Sequence, residues 1–260
     1  MLKRIISAIL GIPLLIFLVI QGDILLYLAT MIVSLIGLYE FYHAMSSKGY
    51  NPVNYVGYIL SVVLLTIFYI SKSANGIFFL LVITIFILSG ILLINAKYNV
   101  ADSSITFYGI LYVTIFMGHI ILTAELQNKL IIWLIFIIAW STDTFAYFGG
   151  YFWGRKKLCP NISPKKTVAG AITGILGSMI SCGVFAFIFF EEYIIMIALL
   201  GLFGSVMSQF GDLTASQIKR YTNIKDFGNL IPGHGGILDR FDSILFTAPT
   251  VYYFFVFFIK

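Results

Sequence analysis

Four aspartates stand where a chain of this kind should avoid them. Asp143, Asp212, Asp239 and Asp242 lie within or at the ends of long apolar runs, and an ionised acid near the centre of a membrane helix costs about 2.5–3.5 kcal/mol, less toward the interface. Asp239 and Asp242 are three residues apart, so a helix starting near Gly236 puts them on one face. Asp212 closes the preceding apolar run, and Asp143 comes from a third run, "AWSTDTFAYFGG". Any one of these acids could be an interfacial ion pair with Lys219, Arg220, Lys225 or Arg240. Four of them converging on one membrane face favour a divalent-cation site, because hard oxygen ligands suit Mg²⁺.

A second polar stretch offers phosphate chemistry. In "NISPKKTVAG", Ser163 is placed to cap a helix with Pro164 at its first position, leaving backbone N–H groups and the positive dipole end beside Lys165, Lys166 and Thr167. A basic collar that anchors a helix by snorkelling would account for two lysines alone. Arg155, Lys156 and Lys157 crowd the same loop opposite the acids, however, and a pocket with fixed cations and a metal fits a polyphosphate. The longest polar passage, Ser216 to Ser243, then concentrates three acids, four bases, a histidine, a proline and four glycines in 28 residues between two apolar runs.

The elements that must hold these residues are membrane helices. With 60% hydrophobic and only 10% charged residues, and a mean hydropathy of +1.00, the chain lies far from the globular average of about 25% charged. A water-soluble domain needs more polar surface than this. Runs of roughly 20 apolar residues are read at about 4–21, 24–45, 53–71, 76–95, 105–124, 129–150, 167–190, 193–211 and 238–259. They are continuously apolar and lack the alternation of lipid-facing strands, so the fold class is all-α, a polytopic bundle of about nine transmembrane helices. The basic start Lys3-Arg4 before "IISAILGIPLLIFLVI" has the look of a signal peptide, but no small-x-small cleavage site follows at "QGDILL", and a retained first helix is expected.

Orientation follows from the basic residues. With the amino terminus placed in the cytoplasm, inner segments hold 13 of the 16 Lys and Arg residues; Lys72, Lys129 and Lys260 alone are outside. This is the asymmetry that the positive-inside rule expects. Both polar loops, 151–166 and 212–237, then face the cytosol.

Several patterns carry no chemistry. "GGYFWGRK", Gly149 to Lys156, mimics the spacing of a phosphate loop but has Arg155 at the lysine position and no strand before it. Cys159 and Cys182 are ordinary thiols, too few for a zinc site. His43 and His119, isolated on apolar runs, are read as packed rather than catalytic. Gly170 and Gly174 form a G-x-x-x-G pair for close helix packing.

The run Ser216, Lys219, Arg220, Lys225, Asp226, Pro232, Gly233, His234, Gly235, Gly236, Asp239, Arg240, Asp242 resembles the signature of the phosphatidate cytidylyltransferase family, whose members make CDP-diacylglycerol. The likeness continues through "GDL" at Gly211 to Leu213, "SPKKT" at Ser163 to Thr167, and Asp143 with Tyr147 and Gly149; "YEFY" around Glu40 is similar too. It is strong over 129–260 and looser over 1–128, within one membrane domain spanning 1–260. One position departs, since the family usually has Glu where Ala169 precedes Gly170.

The resemblance implies transfer of CMP from CTP to phosphatidic acid, with pyrophosphate released in phospholipid biosynthesis at the cell membrane. It implies catalytic roles for Asp212, Asp239, Asp242, Asp143, Lys219 and Arg240, the four aspartates as metal ligands. Substrate binding falls to Ser163, Lys165, Lys166, Thr167, Ser216, Arg220, Lys225, Asp226, His234, Gly235 and Gly236. Mg²⁺ is the implied cofactor, with room for a second cation. CTP, phosphatidic acid and the lipid bilayer are the implied partners; a homodimer is compatible, and nucleic acid has no part. The lipid phosphate is itself the nucleophile, so a Ser-His-Asp or Cys-His set is not required. A CTP-dependent lipid kinase of the dolichol type is the nearer rival reading, an ion-coupled transporter the more distant one, for which midplane charge and an internal repeat are wanting.

Overall fold

A computed structural model describes residues 2–230, 233 and 235–259. Among them run nine helices: α1 Leu2–Gln21, α2 Asp23–Ser46, α3 Asn54–Ser71, α4 Ile77–Ile94, α5 Val100–Ala124, α6 Ile132–Trp153, α7 Val168–Phe189, α8 Ile194–Thr222 and α9 Leu238–Phe258. Eight of these segments are long and apolar enough to cross a membrane, and with the composition they make this a multi-pass membrane protein. The side chains facing outward are those that lipid accepts: Leu93 and Ile94 are each 89% exposed and Phe78 79%. The expected all-α bundle is borne out.

Two expected boundaries are not. Helix α8 does not stop at Asp212 but continues to Thr222. Nothing in "DLTASQIKRYT" breaks a helix, and its polar residues recur at helical spacing. Lys219 and Arg220 suit the negative end of the helix dipole, and Asn223 ends it in the left-handed region at φ 58. The second polar loop is therefore short, residues 223–237. The first is not a cap but a hairpin: strand β1 Lys157–Cys159 pairs antiparallel with β2 Ser163–Thr167, in the register Lys157↔Thr167 and Cys159↔Ser163. Ser163 thus sits in a strand, and the residue that caps α7 is Thr167, whose Oγ1 accepts from Gly170 N at 3.1 Å.

The chain divides into two compact units. The first comprises Met1–Glu125 and Tyr221–Arg240. Its core is built around Leu38, Phe41, Tyr42, Leu64, Leu65, Phe68, Ile110 and Met117. The Tyr42 ring lies against two residues without side chains, Gly57 and Gly109: a Cβ on Gly57 would stand 2.6 Å from Tyr42 Cε2 and one on Gly109 2.5 Å from Cε1. The buried hydroxyl donates to Thr106 O at 2.8 Å, so the tyrosine keeps its polar partner inside the core. Asn99 and Asp102 form a capping box at the start of α5. Asp102 also accepts from Asn51 N at 2.7 Å, tying down the α2–α3 connection.

The second unit comprises Leu126–Arg220 and Phe241–Lys260. Helices α6 and α7 meet through small residues, as the G-x-x-x-G pair predicts. A Cβ on Gly170 would lie 2.7 Å from Ala146 O, and one on Gly174 3.0 Å from Thr142 O. Polar groups between helices find one another: Thr142 Oγ1 donates to Ser205 Oγ at 2.9 Å, Ser178 Oγ to Gly201 O at 2.9 Å, and Thr173 Oγ1 reaches Phe145 O at 3.0 Å. Cys159 and Cys182 are free thiols. His119 is buried with Nδ1 2.7 Å from Ile115 O, whereas His43 is exposed and stacks on Tyr39.

Candidate active site

In the second unit the polar stripe of α8 organises the site. Asp212, Ser216, Lys219 and Arg220 fall at intervals of four, three and one, which places them along one side of the helix. Asp212 Oδ2 pairs with Lys166 Nζ at 2.5 Å, and Ser216 Oγ lies one turn on, 3.4 Å from Asp212 Oδ1. Arg220 Nε donates to Ile162 O at 3.2 Å, holding the hairpin turn against the end of α8.

The hairpin decides which lysine enters. Successive residues of a strand point to opposite faces, so Lys165 and Lys166 diverge: Lys165 is exposed, while Lys166 is half-buried and turned onto Asp212. The backbone amides expected to form an anion seat at the start of α7 are partly engaged by the chain itself. Val168 N donates to Lys156 O at 2.9 Å, and Gly170 N goes to the Thr167 cap. Ala169 lies in this first turn, half-buried, its carbonyl accepting from Thr173 Oγ1 at 3.0 Å.

Gly211 brings the next acid close. A Cβ there would collide with the Asp242 carbonyl oxygen and stand 2.8 Å from Phe246 Cδ2, so glycine lets α9 approach α8 at this level. Asp242, on the second turn of α9, accepts from Ser243 N at 2.8 Å and lies within electrostatic reach of Asp212, Asp143 and Lys219. Three of the four expected acids are thereby gathered from three helices. As placed they do not form a ready-made ligand cluster among the described residues, and the Lys166 ammonium occupies Asp212. The carboxylate oxygens are of the hard type that a divalent cation takes, and such a cation would have to share or displace the Lys166 ammonium at Asp212.

In the first unit the loop before α9 is held by carboxylates. Asp239, 7% exposed, accepts at Oδ2 from Phe227 N at 2.8 Å and Gly236 N at 3.0 Å. Gly233 and Gly235 take φ 80 and 85, a region that side-chain-bearing residues avoid. Lys225, Asp226 and Arg240 are exposed. His234 and Pro232 lie outside the described residues. One residue was missed by the sequence reading as a site residue: Glu40 of α2, 4% exposed, accepts from Ile237 N and Leu238 N, each at 2.9 Å. The signal was present, an acid inside an apolar run, where charge is costly.

Residues 2–258 match the profile of the Cytidylyltransferase family. The chain belongs to that family. Among its curated relatives is the phosphatidate cytidylyltransferase of Synechocystis sp., 36% identical over 285 residues, which covers 98% of this chain and 96% of the relative. The phosphatidate cytidylyltransferase of Rickettsia bellii is 41% identical over 64% of this chain and 77% of its own. That of Bacillus subtilis is 47% identical over 118 residues, 45% of this chain and 44% of the relative. Family membership over residues 2–258 makes this a CTP-dependent nucleotidyltransferase.

Proposed function

We propose that this protein is a phosphatidate cytidylyltransferase, converting CTP and phosphatidic acid to CDP-diacylglycerol and pyrophosphate. The observation that carries the reading is the Lys166–Asp212 pair beside Asp242 and Asp143, in a chain matched by this family along its length. A phosphate oxygen of phosphatidate forms a bond to the α-phosphorus of CTP. The bond from that phosphorus to the bridging oxygen breaks, and its electron pair leaves with pyrophosphate.

Two polyanions must meet, so their repulsion is the first barrier, and positioned cationic charge lowers it. Lys166 is the best placed of the hairpin cations, because Asp212 and the strand direction fix its ammonium. Lys219 and Arg220 extend the positive stripe along α8, and the Arg220 contact to Ile162 keeps the hairpin over it. Asp212, Asp242 and Asp143 would hold the divalent cation, Mg²⁺, which when bound neutralises charge on the CTP phosphates. Asp239, which the resemblance also offers as a ligand, accepts from Phe227 N and Gly236 N and shapes the turn before α9. The left-handed glycines 233 and 235 allow a backbone turn close around a phosphate, and Lys225, Asp226 and His234 of the same passage are substrate-binding residues that the resemblance implies. The site faces the cytoplasm, where CTP is supplied, and the protein lies in the cell membrane.

The purified protein, phosphatidate, labelled CTP and Mg²⁺ test the reading directly. Label should appear in CDP-diacylglycerol with pyrophosphate released. Release of CDP with phosphorylation of a lipid alcohol would instead make it a CTP-dependent lipid kinase.

A further inference from the structure

Helix α9 opens with a cap that comes mostly from a distant residue. The first amides of any helix lack intrahelical acceptors and favour negative charge. Ser, Thr, Asp or Asn just ahead of the helix ordinarily meets this need. Here the residues before Leu238 are Gly235, Gly236 and Ile237, none with a side-chain acceptor. Three consecutive amides turn to carboxylates instead: Gly236 N to Asp239 Oδ2 at 3.0 Å, Ile237 N to Glu40 Oε1 and Leu238 N to Glu40 Oε2, both at 2.9 Å. Glu40 reaches them from the carboxyl-terminal part of α2, 197 residues from Ile237 in sequence.

The surroundings are shaped to this carboxylate. A Cβ on Gly228 would stand 2.6 Å from Glu40 Oε1, and one on Gly236 would collide with both carboxylate oxygens. A Cβ on Gly235 would stand 2.8 Å from Asp239 Oδ2. Glycine at 228, 235 and 236 is thus what allows two acids to lie against one turn. An acid within an apolar helix costs about 2.5–3.5 kcal/mol near its centre, and a serine at position 236 or 237 could cap α9 without that cost. A bidentate carboxylate fixes more than a cap does, because it holds two successive amides, and hence the direction of the turn, against a second helix.

We propose that Glu40 is a positioning residue for nucleotidyl transfer: it sets the glycine-rich turn and the Asp239 carboxylate in their working orientation without touching substrate. The inference rests on the cytidylyltransferase reading. It is tested with Glu40→Gln, which keeps one acceptor and the side-chain length but loses the charge and the second acceptor, and with Glu40→Asp, which keeps charge but is one methylene too short for both amides. Activity per folded molecule is measured in detergent micelles of fixed phosphatidate content, with CTP and Mg²⁺ varied separately and thermal unfolding followed in parallel.

The expected result is a loss of about 10- to 100-fold in kcat/KM for CTP and a raised Mg²⁺ requirement, the range typical when a residue that orients ligands is removed. The phosphatidate KM should stay unchanged, and whichever variant folds should show the effect, with Glu40→Gln above Glu40→Ala. Wild-type CTP and Mg²⁺ kinetics in either folded variant, or a loss only in proportion to unfolded protein, would overturn the proposal. Wild-type protein that makes no CDP-diacylglycerol would instead sink the reading on which it rests.

Discussion

Two adjacent lysines carry different fates. The sequence makes Lys165 and Lys166 equivalent, a basic pair beside a presumed helix start. A strand separates them by one pleat, leaving Lys165 exposed and turning Lys166 onto Asp212. A charge-assisted contact contributes roughly 1.5–3 kcal/mol, and about 1.4 kcal/mol corresponds to tenfold. Lys166→Gln should therefore lower kcat/KM for CTP by one to two orders of magnitude, roughly, with little change toward phosphatidate, whereas Lys165→Gln should cost much less. Steady-state kinetics with each substrate varied in turn check the contrast, and equal losses in the two variants would refute the strand argument. The partner acid gives a second prediction. Asp212→Asn removes a ligand and leaves Lys166 without its counter-charge, so half-maximal activity should need about tenfold more Mg²⁺ or higher; an unchanged Mg²⁺ titration would remove Asp212 from the metal site. The acids and bases themselves were legible because charge in an apolar chain is expensive. Glu40 carries the same signal, an acid inside an apolar run, but its partners are backbone amides almost 200 residues away, and no local pattern names them.

At the scale of elements, the apolar runs were readable and their ends were not. Helix α8 outlasts its apolar stretch by some three turns, because helix propensity and i, i+4 spacing continue after hydropathy has stopped. Ser163 and Pro164 look like a helix start, but a cap and a strand both ask for extended backbone at the residue before proline. What decides between them is pairing with Lys157–Cys159, which no window on "SPKKT" contains. Close helix packing, by contrast, was legible from glycine spacing alone. Its strength can be measured: Gly174→Leu would drive a side chain into Thr142 O and Ala146 Cβ, which a Cβ alone would approach at 3.0 and 3.2 Å. Overpacking of this kind costs about 1–3 kcal/mol. The variant should unfold at lower temperature in detergent, while its folded fraction keeps the wild-type Mg²⁺ requirement. Wild-type thermal stability would show that α6 and α7 do not depend on contact at Gly174.

At the scale of the whole molecule, direction across the bilayer is set by charge. Thirteen of the 16 Lys and Arg residues fall on one side if the amino terminus is cytoplasmic, and short loops rich in such residues resist translocation. The chemistry makes the same demand, since the hairpin over α8 and the glycine-rich turn before α9 both need access to CTP. The two expectations are independent: the first concerns insertion, the second substrate supply. Both can be tested by one labelling experiment. Asn161, at the exposed turn between the two strands, and Asn229, exposed in the loop before α9, are replaced singly by cysteine in a chain whose Cys159 and Cys182 are changed to serine. A membrane-impermeant maleimide should leave both sites unmodified in intact cells and modify both once the inner face is opened. A third cysteine at Ser73, in the short connection between α3 and α4, serves as the outward control, because the same count places Lys72 outside; it should react in intact cells. Modification of Asn161→Cys from outside would invert the helix directions and place the site away from its nucleotide.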